Sequence, residues 1–244
     1  MKNISLLLAA LCLPFSLAQA ADLKTISVRG DGELKVAPDV AVVSLQVRTK
    51  AKDARSAQTA NAKEMARVSK VLKSDFGLEG KDVQTSSFSV NPDYRYEGNG
   101  KQVFLGYEAN HSLSVRVKKL DKVGELLDRL PSGKAGEQLA VVLQGVTFDS
   151  DKRREHETEA LGLAMANAQA RANALAGFAK KSLKGVLRIS DSNVQYQPFQ
   201  SGGGQVAKMM TMAGGAEADM AQSTQISQGE ITINSNVAVD YEMD

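Results

Sequence analysis

The 244 residues are 43% hydrophobic, enough for a substantial core, and 30 Lys and Arg against 28 Asp and Glu leave a formal charge of +2. That near balance gives no electrostatic case for nucleic acid or for strong attraction to anionic lipid. The absence of tryptophan and an aromatic content of only 5% argue against a typical carbohydrate or aromatic-ligand groove.

Residues 1–20 read as a secretory signal peptide. Lys2 is the positive start, Ile4 to Leu17 is apolar, and Ala18-Gln19-Ala20 is a small-x-small cleavage site. Pro14 interrupts an apolar run already short for a bilayer, which disfavours a membrane anchor. Leu11 precedes Cys12, whereas a lipid-attachment cysteine follows a small residue late in the apolar run. Cleavage removes the single cysteine, so the mature chain has no disulfide, thiol nucleophile or thiolate metal site. Export without disulfides fits a bacterial periplasm. Nothing later in the chain is apolar enough to span a membrane as a helix.

Thr25 to Gly30 is a short strand candidate, with Gly30-Asp31-Gly32 expected to turn the chain before Leu34 and Val36 resume an extended pattern. A lone Gly-x-Gly lacking a strong strand before it and a helix after it is no nucleotide fingerprint. Pro38 and Asp39 stop this segment, since proline has no N–H to give a sheet. A strand follows at once. Val43, Leu45 and Val47 share one face, while Val42, Ser44, Gln46 and Arg48 share the other.

Lys52 to Phe76 reads as a helix, with Ala54, Ala57, Asn61, Met65, Val68, Leu72 and Phe76 on one stripe and Gly77 as its left-handed cap. Asn61 is the polar intruder. Val83 to Glu97 and Val103 to Lys119 read as two long strands joined at Gly98-Asn99-Gly100. This hairpin is expected to protrude, and Tyr94, Tyr96, Phe104 and Tyr107 gather toward its tip. Those rings either cover the sheet end or meet a neighbouring subunit. Asp121 to Leu130 is a short helix, and Leu139 to Phe148 a strand whose apolar start suggests cover on both faces.

Asp149-Ser150-Asp151 offers caps for a long helix through Phe178, with Leu161, Ala164, Ala168, Ala172, Leu175 and Phe178 as its buried stripe. Its many alanines imply close backbone approach. Gly185 to Ser190 is another strand. Residues 193–228 change composition, rich in Gln, Gly, Ser, Ala and Met, and read as a flexible insert. Gly229 to Met243 alternates cleanly as a final strand. The order β-α-β-β-α-β-α-β-β argues an α+β fold, a mainly antiparallel sheet with helices packed on one side.

Several patterns, in this order, resemble the SIMPL-domain family, which includes periplasmic immunogenic and oxidative-stress-defence proteins. They are Ile26-Ser-Val-Arg-Gly-Asp-Gly, Pro38-Asp39-Val-Ala, Val83-Gln-Thr-Ser, Asn91-Pro-Asp-Tyr-Arg-Tyr, Gly106-Tyr107-Glu-Ala, the Ala-rich helix and Gln228-Gly229-Glu230-Ile231. Residues 21–244 are then one SIMPL-like domain. The resemblance implies export to the bacterial envelope, ring- or channel-shaped homo-oligomers in some members, and protection against oxidative stress in others. It carries no catalytic motif.

The residues themselves show no reaction centre. His111 and His156 are the only histidines, without the spacing of a zinc site or enough bases for a triad, and no serine sits in Gly-x-Ser-x-Gly. Lys152 to Glu159 reads as a solvated first turn of helix. Met209, Met210, Met212 and Met220 are the chemical oddity, because thioethers suit Cu(I) and oxidise reversibly. The plainer reading is an apolar segment that packs on a neighbour.

The expectation is a non-enzymatic periplasmic protein without cofactor that self-assembles into a homo-oligomer and serves envelope maintenance or oxidative stress defence. Tyr94, Tyr96, Phe104 and Tyr107 would supply the contact. An envelope or outer-membrane partner is the further expectation. The alternative is Cu(I) binding or oxidant scavenging through the four methionines.

Overall fold

The computed structural model describes residues 24–98, 100–130, 139–201, 224 and 226–244. The elements are β1 (Thr25–Val36), β2 (Val40–Ala51), α1 (Ala54–Phe76), β3 (Val83–Tyr96), β4 (Gln102–Val117), α2 (Val123–Arg129), β5 (Leu139–Asp149), α3 (Arg153–Phe178), β6 (Leu183–Gln197), β7 (Phe199–Ser201) and β8 (Ile231–Met243). The fold is α+β and every strand pair is antiparallel. The strands form two sheets, one ordered β1-β8-β6 and one ordered β3-β4-β2-β5-β7. α3 packs on the first and α1 on the second.

The first sheet shows why its sequence looked ambiguous. Gly30-Asp31-Gly32 does not turn the chain, and β1 runs straight through it in register with β8. The glycines serve another purpose. A Cβ on Gly30 would fall 2.0 Å from Ala164 O, and one on Gly32 2.3 Å from Ala160 O. The strand lacks side chains where the helix backbone presses on it. α3 meets this flat surface with Ala160, Ala164, Ala168, Ala172 and Ala176, all buried. Recurrence at four residues keeps these methyls on one line. Leu175 and Phe178, expected in that stripe, are exposed instead, because alanine alone fits so close an approach.

The second sheet holds the larger core. Val43, Leu45, Val47, Leu113, Val115 and Val117 face Val68 and Leu72 of α1, with Leu126 and Phe148 closing the ends. α1 begins at Asp53, whose carboxylate accepts from the Ser56 N–H at 2.9 Å, and ends at Gly77 with φ 68°. Only glycine adopts that conformation without cost. Asn61 is buried because its Nδ2 donates to the carbonyls of Val47 and Ala109, pinning the helix across β2 and β4. In β5 the expected double cover is not observed: Val141 is buried but Val142 faces outward.

One polar cluster joins the two halves. Asp39, just before β2, accepts from the Ser150 hydroxyl at 3.1 Å and the Asp151 N–H at 2.7 Å. Lys152, the N-cap of α3, makes no side-chain cap hydrogen bond, and Asp39 instead holds the two residues that precede it. The Tyr196 hydroxyl on β6 donates to Asp149, and Arg153 lies 4.3 Å over the Tyr196 ring. Burial and then the Asp149 carboxylate push the Tyr196 phenol well above its ordinary range.

The change of composition at 193 does not mark the end of a strand. Residues 193–197 complete β6, and Phe199–Ser201 pairs with β5 as β7. Past the segment 202–223, which lies outside the described residues, Thr224 donates its hydroxyl and N–H to Asp128 on α2 at 2.5 and 3.0 Å.

Candidate functional site

β3 is the outer strand of the five-stranded sheet. Its free edge leaves N–H and C=O groups without a neighbouring strand. Period-two alternation places Phe88, Val90, Pro92, Tyr94 and Tyr96 on one face. That face is the one α1 covers elsewhere. Val47 pairs with His111, Thr49 with Ala109, and Ala51 with Tyr107, while Pro92 pairs with the same Tyr107.

α1 covers this face only as far as the row of Thr49 and Ala109, both buried. Its first turn sits over Thr49, whose hydroxyl donates to the Ala57 carbonyl at 2.9 Å. Beyond that level the hairpin continues with no helix above it. The turn is closed by the Gly100 N–H donating to the Glu97 carbonyl at 2.8 Å. Tyr94 meets Phe104 edge to face with centroids 5.5 Å apart, and Phe104 meets Tyr107 in the same way at 5.5 Å. A bulge at Leu105 keeps Phe104 and Tyr107 on one face. The structure thus brings three of the four expected rings into contact. Tyr96 stands apart at the tip, 71% exposed, its hydroxyl accepting from Gln102.

The opposite face of the hairpin is polar. Lys50 bridges Asp93 at 2.7 Å and Glu108 at 3.2 Å, which fixes the hairpin on β2. The hydrogen bond that Lys50 donates to Asp93 is the chief reason its ammonium is held above its ordinary range. The strip also extends further than the four expected rings. Phe88 is 46% exposed and stacks edge-on against His111. Burial holds the His111 imidazole below its usual range, and Nε2 lies 2.8 Å from the Thr85 hydroxyl.

Other surfaces carry less. A cleft of about 240 Å³ between the end of α1 and the start of α2 has Phe76, Leu78 and Val117 as its floor. Its cations are largely matched: Lys122 pairs with Glu125, and both Arg116 and Lys118 pair with Asp151. Among the described residues no three His, Cys, Asp or Glu side chains converge on one point. Met209, Met210, Met212 and Met220 lie outside the described residues.

The family model SIMPL, described as a protein of unknown function (DUF541), matches residues 26–241. The chain belongs to the SIMPL family. The 26 kDa periplasmic immunogenic protein of Brucella melitensis biotype 1 is 32% identical over 249 residues, covering 98% of this chain and 93% of that protein. The protein of the same name from Brucella abortus strain S19 matches equally well. The uncharacterized protein YggE of Escherichia coli K12 is 30% identical over 103 residues, 42% of this chain and 41% of its own.

Proposed function

We propose that this SIMPL protein is a non-enzymatic periplasmic component of the cell envelope that acts as a homo-oligomer, with the β3–β4 hairpin forming part of the subunit contact. One observation carries the reading: a long outer strand presents a free edge and an uncovered aromatic strip together. Open edges invite another strand, and exposed apolar patches of this kind mark interaction surfaces. Pairing with a second copy satisfies the backbone and buries the rings in one step.

The periplasmic assignment rests on the expected leader and on the Brucella relatives, which are named as periplasmic. No helix among the described residues is long and apolar enough to cross a membrane. A role in envelope maintenance or oxidative stress defence follows from the family resemblance.

Replacing Tyr94, Tyr96 and Tyr107 together with Ser tests the contact. Aromatic residues at the centre of an interface are worth about 2 kcal/mol each. Even a total of about 4 kcal/mol raises Kd a thousandfold. Light scattering should then report a lower mass with an unchanged far-UV spectrum. An unchanged mass would place the contact elsewhere.

A further inference from the structure

We infer that the outer strand β6 is the surface that receives the hairpin, so that β3 of one copy adds to the three-stranded sheet of the next. This rests on the proposal that the hairpin is a subunit contact and names the face it meets. β6 closes one side of its sheet as β3 closes the other sheet, and the two strands run 15 and 14 residues.

The side chains match by face. Val186 pairs with Tyr241 and Ile189 with Val239, both buried residues under α3, so Val186 and Ile189 lie on the helix side. α3 sits mainly over β1 and β8 and leaves them open, 48% and 55% exposed. The β3 strip lies on the helix side of its own sheet. Joined edge to edge with helices on the same side, the two strips fall together between α3 of one copy and α1 of the next.

The competing edges are blunted. β1 carries Arg29, Asp31, Glu33 and Lys35 on its outer face, and α3 overhangs it, with the Asp31 N–H donating to Asn167. Alternating charge is a common guard against strand addition. β7 is only three residues long. On β6 the cations are already neutralised, Lys184 by Glu242 and Arg188 by Asp240, as Asp93 is by Lys50 on the hairpin. Neither Lys184 nor Arg188 then presents an unmatched charge to the hairpin. Bulges interrupt β6 after Leu183, Val186 and Asp191, which leaves Gly185–Val186, Arg188–Asp191 and 193–197 as its regular stretches.

The area is adequate. Phe88, Tyr94, Tyr96 and Phe104 expose about two whole aromatic side chains between them, on the order of 400 Å². Val186, Leu187 and Ile189 add roughly half as much. The paired strand backbones add to this, toward the total of about 1,200 Å² at which stable pairs begin. A contact between two different surfaces is heterologous, so every copy both gives a hairpin and receives one.

The test mixes two variants and weighs them by light scattering. Val186→Lys with Ile189→Lys blocks the receiving edge; Tyr94→Ser with Tyr96→Ser and Tyr107→Ser blocks the hairpin. Each alone should have the mass of one chain. A one-to-one mixture retains one intact hairpin and one intact edge, and should give a two-chain species and nothing larger. If the β6 variant keeps the wild-type mass while the hairpin variant dissociates, the receiving edge is wrong and the hairpin contact stands. If the hairpin variant keeps the wild-type mass, the hairpin contact itself is wrong. A mixture that stays at one chain shows that an intact hairpin does not seat on an intact β6 edge, which overturns the inference. Should the lysine variant lose its far-UV signal, Val186→Thr with Ile189→Thr replaces it, keeping β-branched side chains and the same readout.

Discussion

Gly30→Ala should destabilise the protein far more than its single added carbon suggests. The new Cβ would lie 2.0 Å from Ala164 O, 2.6 Å from Ala168 N and 2.7 Å from Ala168 Cβ. Two of these three atoms are helix backbone, so no side-chain rotation relieves the clash. α3 must move off β1 by an ångström or more, loosening contacts along the whole seam from Ala160 to Ala176. Overpacking of this kind costs about 3 kcal/mol. For a domain of this length each kcal/mol lowers Tm by about 2–4 °C, so the fall should be roughly 6–12 °C. Trimming the one side chain involved, in Gly30→Ala with Ala168→Gly, should not restore stability, because the carbonyl of Ala164 stays in place. Gly185→Ala on β6, where nothing lies within 4 Å of the new atom, is the control and should stay within about 0.5 kcal/mol of wild type. Urea and thermal melts followed by far-UV circular dichroism read both. A Gly30→Ala melt that superimposes on the Gly185→Ala melt would refute the account of how β1 and α3 pack.

Asn61→Leu removes the donor to two buried strand carbonyls and should cost about 2 kcal/mol in a urea melt. Asp39→Ala strips the Ser150 hydroxyl and Asp151 N–H of their acceptor and should cost about 1 kcal/mol, with earlier proteolysis near residue 150. His111 is neutral in the fold where the unfolded chain already binds a proton. Stability should therefore fall as pH drops below about 6.5, and His111→Gln should reduce that slope while leaving stability above pH 7 insensitive to it. Replacing Met209, Met210, Met212 and Met220 by Leu should leave copper(I) uptake, read by competition with a chromophoric chelator, unchanged. A lost uptake would favour the thioether reading over the assembly reading.

The sequence carried β2, β3, β4 and α1 well, because the signals there agree, whereas β7 lies inside the segment read as a flexible insert and β5 lacks the double cover expected of it. Period two in β2, the Gly77 cap and the turn closed between Glu97 and Gly100 all act locally. The first sheet was misread where one residue type serves two ends. Gly30 and Gly32 look like turn residues, yet their role is to admit a helix more than a hundred residues away, which no local pattern reveals. The same contact explains why Leu175 and Phe178 were placed inside: helical periodicity favours large apolar residues, whereas the seam excludes them. The partition into two sheets was equally hidden, since strand order depends on pairings distant in sequence. The aromatic strip was nearly complete in the chain itself, because Phe88-x-Val90-x-Pro92-x-Tyr94-x-Tyr96 alternates in plain view. What the sequence lacked was the knowledge that α1 stops short of it. The polar junction at Asp39 could not be read at all, because its members come from four separate elements.

Native mass spectrometry of the mature exported protein at micromolar concentration tests the central claim most directly. The account predicts a multiple of the single-chain mass that collapses to one chain in the Tyr94, Tyr96 and Tyr107 variant. A wild-type protein that shows only the mass of one chain would contradict it.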